Sequence, residues 1–134
     1  MRKLLLIFAM ALSSSAIMAQ EEFDVHFDDA TLRIDYTFAG NSDEQLIALK
    51  ELARTDSWWG RRVNLTDVPL KGNGDLELYD IATNALIYKT SFSSLFQEWI
   101  TTPEAKDAVR SFEFTLLVPM SNRSVRAEIV LRDN

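Results

Sequence analysis

The sequence holds no cysteine and a single histidine in 134 residues. Without cysteine there is no disulfide framework, no thiolate-held zinc or iron–sulfur centre and no thiol nucleophile. One imidazole excludes any metal site that needs two from the same chain, and with it the His-Glu-x-x-His helix of zinc peptidases. The four glycines form no glycine-rich run, so a phosphate-cradling loop is missing, as is the Gly-x-Ser-x-Gly elbow of a serine nucleophile. Basic residues are also scarce. Fourteen against twenty acidic residues give a net charge of −6, the wrong sign for a surface that binds nucleic-acid phosphates. Paired carboxylates for glycoside hydrolysis survive this counting, but one small sandwich offers little cleft for a sugar chain. The residues therefore present no catalytic group, no metal site, no cofactor site and no nucleic-acid partner.

What is present begins at the N-terminus. Arg2 and Lys3 precede the apolar run Leu4 to Leu12, then Ser13, Ser14, Ser15 and small residues up to Ala19. That order of charge, apolar run and small residues is a secretory signal peptide over residues 1–19, with cleavage before Gln20. The run is shorter than the roughly 20 residues a membrane span needs, so no integral membrane segment remains after cleavage. The expected location is periplasmic or extracellular. Residues 20–134 then form one domain. They carry 12 basic and 20 acidic residues, a net charge of −8.

Period-two alternation dominates that domain. Leu32, Ile34, Tyr36 and Phe38 alternate with Thr31, Arg33, Asp35 and Thr37, and Ala39, Gly40 and Asn41 supply a turn. Phe23, Val25 and Phe27 alternate with Asp24, His26 and Asp28, which predicts a short edge strand with His26 at the surface. Residues 75–79 and 85–88 flank Asp80–Asn84, a hairpin with Asp and Asn at the bend. Phe112, Phe114, Leu116 and Val118 predict a strand that stops at Pro119. A turn at 121–123 leads into Val125, Ala127, Ile129 and Leu131. Thr102, Pro103 and Glu104 read as cap, first residue and first turn of a short helix. Leu46, Leu49, Leu52 and Ala53 sit at helical spacing, so periodicity favours a helix over residues 43–54. The whole is an all-β chain: a single antiparallel β-sandwich of immunoglobulin-like architecture with one short helical turn.

The aromatic residues carry the hint of binding. Trp58, Trp59 and Trp99, with Phe92 and Phe96, fall in loop-like segments, where rings anchor a protein or stack on a sugar. Arg61 and Arg62 stand ready to supply polar grip beside the first pair. The alternative is that these rings close the open ends of the sandwich. Adjacent Trp58 and Trp59 point in opposite directions in extended chain, so one can be buried while the other is free.

The stretches FDVHFDDATLRIDYTFAGN, SWWGRRVNLTD, LYDIATNALIYKTSFSSLFQEWITTPEA and FEFTLLVP, with a closing LRD, appear in this order from Phe23 to Asp133. Together they resemble the N-terminal domain of secreted bacterial zinc metallopeptidases of the immunoglobulin-A type, metallopeptidase family sixty-four, typical of gut Bacteroidetes. The segments at 88–92 and 120–123 depart from the family pattern. The resemblance implies a β-sandwich accessory domain and strand rather than helix over residues 45–53. It implies that the zinc ligands and catalytic glutamate belong to a second domain, so no catalytic residue carries over. The function it implies is protein contact with a peptidase or its substrate. A carbohydrate-binding module using Trp58 or Trp59 with Arg61, or a remnant of a truncated peptidase, are the alternatives.

Overall fold

The computed structural model describes residues 22–132; the export segment expected at residues 1–19 lies outside them. The clearest alternation becomes β1, Phe27–Gly40, with Ile34, Tyr36 and Phe38 all buried on one face. It ends where Gly40 takes a φ of 135°, and a Cβ there would meet the Glu44 carbonyl oxygen at 1.9 Å. Only glycine fits such a backbone. The Asn41 side chain then accepts the amides of Asp43 and Glu44 at 2.9 and 2.8 Å and turns the chain back on itself.

The returning segment is a strand, β2 (Gln45–Asp56), as the resemblance implies and against the periodicity. The reason is a β-bulge. Leu49 lies opposite Tyr36 and Glu51 opposite Asp35, leaving Lys50 as an extra residue. A bulge shifts the alternation by one, so Leu49 and Leu52, three apart, both share the face of Tyr36 and Ile34. Three-residue spacing in a bulged strand thus imitates a helix.

Strands β3 (Gly74–Asp80) and β4 (Leu86–Phe92) form the expected hairpin. Its bend has Asn84 at φ 55° and the Asp80 carboxylate accepting the Ala82 amide at 2.8 Å. Phe92, expected in a loop, closes β4. Strand β5 (Arg110–Ser121) and β6 (Val125–Leu131) complete two three-stranded antiparallel sheets, ordered β2-β1-β5 and β4-β3-β6. The expected stop at Pro119 is overturned: β5 runs through it to Ser121. Pro119, opposite Thr31, sits on an edge strand beside the place where the β1 register shifts, the kind of position at which a sheet tolerates proline.

A second correction concerns the lead-in. Residues 22–26 form a helical turn rather than an edge strand. The four-residue spacing of Phe23 and Phe27 lets both rings enter the core, 5.3 Å apart, while Val25 faces water. His26 is half-buried there rather than at the surface, and its carbonyl accepts the Asn122 amide. The short helix Leu95–Trp99 is capped by the Ser94 hydroxyl, which accepts the Gln97 amide at 3.2 Å. Thr102 precedes the 3-10 turn Pro103–Lys106 as expected, but its hydroxyl makes no capping bond.

The core lies between the sheets and is built on rings. Phe38, fully buried, packs within 6.1 to 6.4 Å of Tyr36, Phe92, Phe96 and Phe114. Such edge-on and tilted pairs add about 0.5–1.5 kcal/mol each beyond area burial. They hold the domain without disulfides. On the outer face of the second sheet, Lys89 Nζ bridges Glu77 at 2.7 Å and Asp75 at 3.1 Å, and Arg132 also pairs with Asp75. Burial pushes the Asp75 carboxyl up, but hydrogen bonds from Ser91, Lys89 and Arg132 outweigh it and leave it below its usual value.

Candidate functional site

The loop after β2 carries four of the five residues singled out by sequence. Ser57, at φ 66°, donates its amide to the Asp29 carbonyl, and its own carbonyl accepts the Thr31 hydroxyl at 2.7 Å. The Trp58 amide then bonds the Asp29 carboxylate at 2.9 Å, and the side chain turns inward. Its ring meets Tyr88 edge-on at 6.2 Å, and its indole N–H donates to the Arg61 carbonyl. Gly60 makes room for that ring: a Cβ there would lie 2.1 Å from Trp58 Cζ2. Trp59, facing the other way, is 90% exposed.

Both arginines are engaged with the protein itself. The Arg61 guanidinium donates to the carbonyls of Asp67, Leu65 and Lys89 and stands 5.1 Å from the Tyr88 ring centre. The Leu65 carbonyl in turn accepts the Lys89 amide at 2.9 Å. The loop therefore covers the outer edge of β4, and Arg61 is the staple that holds it there. Arg62 bridges Asp29 at 2.5 Å, bonds the Trp58 carbonyl and lies 4.7 Å over the Phe23 ring. The Trp58 amide and the Arg62 guanidinium hold the Asp29 carboxyl below its usual value. The result is a stiff platform with one uncovered indole on top.

Trp99 lies elsewhere. It packs 5.7 Å from Phe112, which pairs with Phe38 near the far end of β1. It is half-buried, with its indole N–H on Glu104 at 3.0 Å. That N–H, then Arg110, holds the Glu104 carboxyl low. Phe96 is fully buried and closes the core at this end. The tertiary structure thus gathers Trp58, Trp59, Arg61 and Arg62 and leaves Trp99 apart.

Sequence reasoning missed a second surface. Along the side where β2 faces β6, an apolar groove of about 320 Å³ runs between the sheets, lined by Tyr36, Leu49, Leu52, Leu78, Val125 and Ala127. Leu49 and Leu52 are 58% and 56% exposed within it. The signal was present in the leucine spacing, but it becomes a shared strand face only once the bulge is known.

Among the described residues, no group of three or more His, Asp or Glu side chains is placed to hold a metal ion. Nor is any helix long and apolar enough to cross a membrane. Fold and surface together define a β-sandwich domain whose distinctive features are a stapled aromatic loop and an open apolar side. A family model described as Peptidase M64 N-terminus matches residues 22–134, and the chain belongs to that family. The match is to the N-terminal domain and to no catalytic domain. A search of the curated proteins finds no match.

Proposed function

We propose that this chain is an exported, non-catalytic accessory domain that makes protein contact through the Trp59 loop, with a peptidase domain or with the peptidase's substrate. The observation that carries the reading is the 90% exposure of Trp59 on a loop otherwise pinned by Arg61 and Arg62. A loop backbone already pinned needs little further ordering on binding, and tryptophan is enriched among the residues that dominate interfaces. Membership of a family named for the N-terminus of a peptidase supports a peptidase or its substrate as the partner. A glycan contact asks for polar side chains beside the ring. Arg61 and Arg62 are engaged with the chain itself, which favours a protein surface.

The test is direct binding of the secreted protein to a catalytic domain of the same peptidase family and, separately, to immunoglobulin A. Trp59→Ala should weaken whichever contact is measured by ten- to a hundredfold, the loss of about 1.4–2.8 kcal/mol expected of an interface anchor. Equal binding by the variant, or no binding to either partner, overturns the reading.

A further inference from the structure

We propose that two copies of this chain pair through their β2 strands, side by side and antiparallel about a two-fold axis, sealing the apolar groove of each. The proposal is independent of what the Trp59 loop contacts. β2 is a twelve-residue strand at the edge of its sheet, bonded on one side to β1. Long, exposed edge strands with apolar side chains are open templates for another strand. This one carries Leu49 and Leu52 on the core-facing side, beyond the cover of the opposite sheet.

The strand is complementary to itself in one register. With the two-fold axis between Lys50 and Glu51, Lys50 of one copy faces Glu51 of the other, twice over. Leu49 then faces Leu52, and Ala48 faces Ala53. Shifting the centre by half a residue sets Lys50 against Lys50 or Glu51 against Glu51, and directly opposed like charges are destabilising.

The bulge is what permits the favourable register. In two regular strands related by such an axis, opposed residues are separated by an even number of positions, because each strand alternates faces. Leu49 and Leu52 are three apart. They share the core-facing side only because Lys50 is extra, as their partners Tyr36 and Ile34 show. Glu51 lies opposite Asp35 in the ladder and accepts Arg33 at 3.3 Å, and Lys50 reaches Glu113 at 2.5 Å, so both charges lie on the opposite, outer side. At the centre of the pair Leu49 therefore meets Leu52 on the core side and Lys50 meets Glu51 on the outer side, while further out Ile47 faces Arg54 and Gln45 faces Asp56. Over twelve paired residues, about 40 Å at 3.4 Å each, the two leucines of each copy would cover the groove of the other along with Val125 and Ala127. A second copy of the chain fits this edge in face, charge and register together.

Light scattering on the secreted protein after gel filtration should give the mass of two chains. Lys50→Glu and Glu51→Lys should each give single chains, since each sets like charges across the axis. The double variant K50E/E51K should restore the pair, because the opposite charges across the axis are re-formed in exchanged places, and its melt beside those of the single variants reads the cost of losing the intrachain Lys50–Glu113 and Glu51–Arg33 pairs. Circular dichroism melts should show all three folded, as both side chains are exposed. The protein has no cysteine of its own, so a mixture of Ala48→Cys and Ala53→Cys chains should cross-link under mild oxidation, and Ala48→Cys alone should not. A single-chain mass for the unaltered protein at every concentration, a pair untouched by either single charge reversal, or equal cross-linking by Ala48→Cys alone overturns the proposal. A single-chain mass that doubles only with another protein's strand does so as well.

Discussion

Replacing Arg61 by alanine tests whether the tryptophan loop is held or merely rests on the sandwich. The guanidinium donates to three main-chain carbonyls, those of Leu65, Asp67 and Lys89, and lies over Tyr88. A hydrogen bond from a charged group contributes about 1.5–3 kcal/mol, and a cation over a ring about 0.5–1 kcal/mol at a partly exposed site. The full sum is not lost, because water can reach the Asp67 carbonyl on the exposed side of the loop. The Lys89 carbonyl lies under the loop and is left with no donor. The expected cost is about 2–4 kcal/mol, a large part of the roughly 5–15 kcal/mol that holds a domain of this size. Lysine at this position should recover less than half, because a point charge cannot serve three diverging acceptors. Urea unfolding followed by far-ultraviolet circular dichroism should show a lower midpoint with an unchanged slope. Trp59→Ala, measured beside it, should stay within about 0.5 kcal/mol of the parent, as surface changes do. An Arg61→Ala protein as stable as the parent, or one more stable than Trp59→Ala, refutes the staple.

Two further outcomes follow from the core and from the hairpin. Phe96, fully buried about 6 Å from Phe38, Phe112 and Trp99, should cost about 3–5 kcal/mol when cut to alanine. Calorimetry that shows an unchanged melting temperature would contradict its place in the core. The buried Asp80 carboxyl is held below its usual value first by the Ala82 amide and then by Arg123. A carboxyl lowered in the folded state contributes stability that is complete above its unfolded value near pH 4 and lost as pH falls through the folded one. Urea midpoints taken from pH 7 down to pH 3 should therefore drop, and Asp80→Asn should flatten that drop while lowering the midpoint at pH 7. An equal acid slope in both proteins would remove Asp80 from the account.

Where one local pattern decided the outcome, the sequence was readable. The alternation Leu32, Ile34, Tyr36, Phe38 became β1, because one buried face admits one register. Asp80 and Asn84 marked the hairpin because their side chains and backbone suit the turn. Adjacent Trp58 and Trp59 had to diverge, and one is buried and the other free. The failures share a cause. The lead-in at 22–26 alternates like a strand, yet two phenylalanines at helical spacing find the core. Pro119 stops nothing, because its neighbour on β1 lies at an irregular register. Arg61 looked like a free hand for a ligand, and its acceptors are carbonyls from Leu65, Asp67 and Lys89, which no local motif announces.

By itself the sequence determined that this is an all-β chain without thiol or paired-imidazole chemistry, because composition and period-two alternation are properties of the chain alone. Only the tertiary structure decided which charges are free, which indole faces water and which leucines share a face. Those depend on a bulged residue and on contacts between segments distant along the chain, and side-chain direction follows from such pairings rather than from local order.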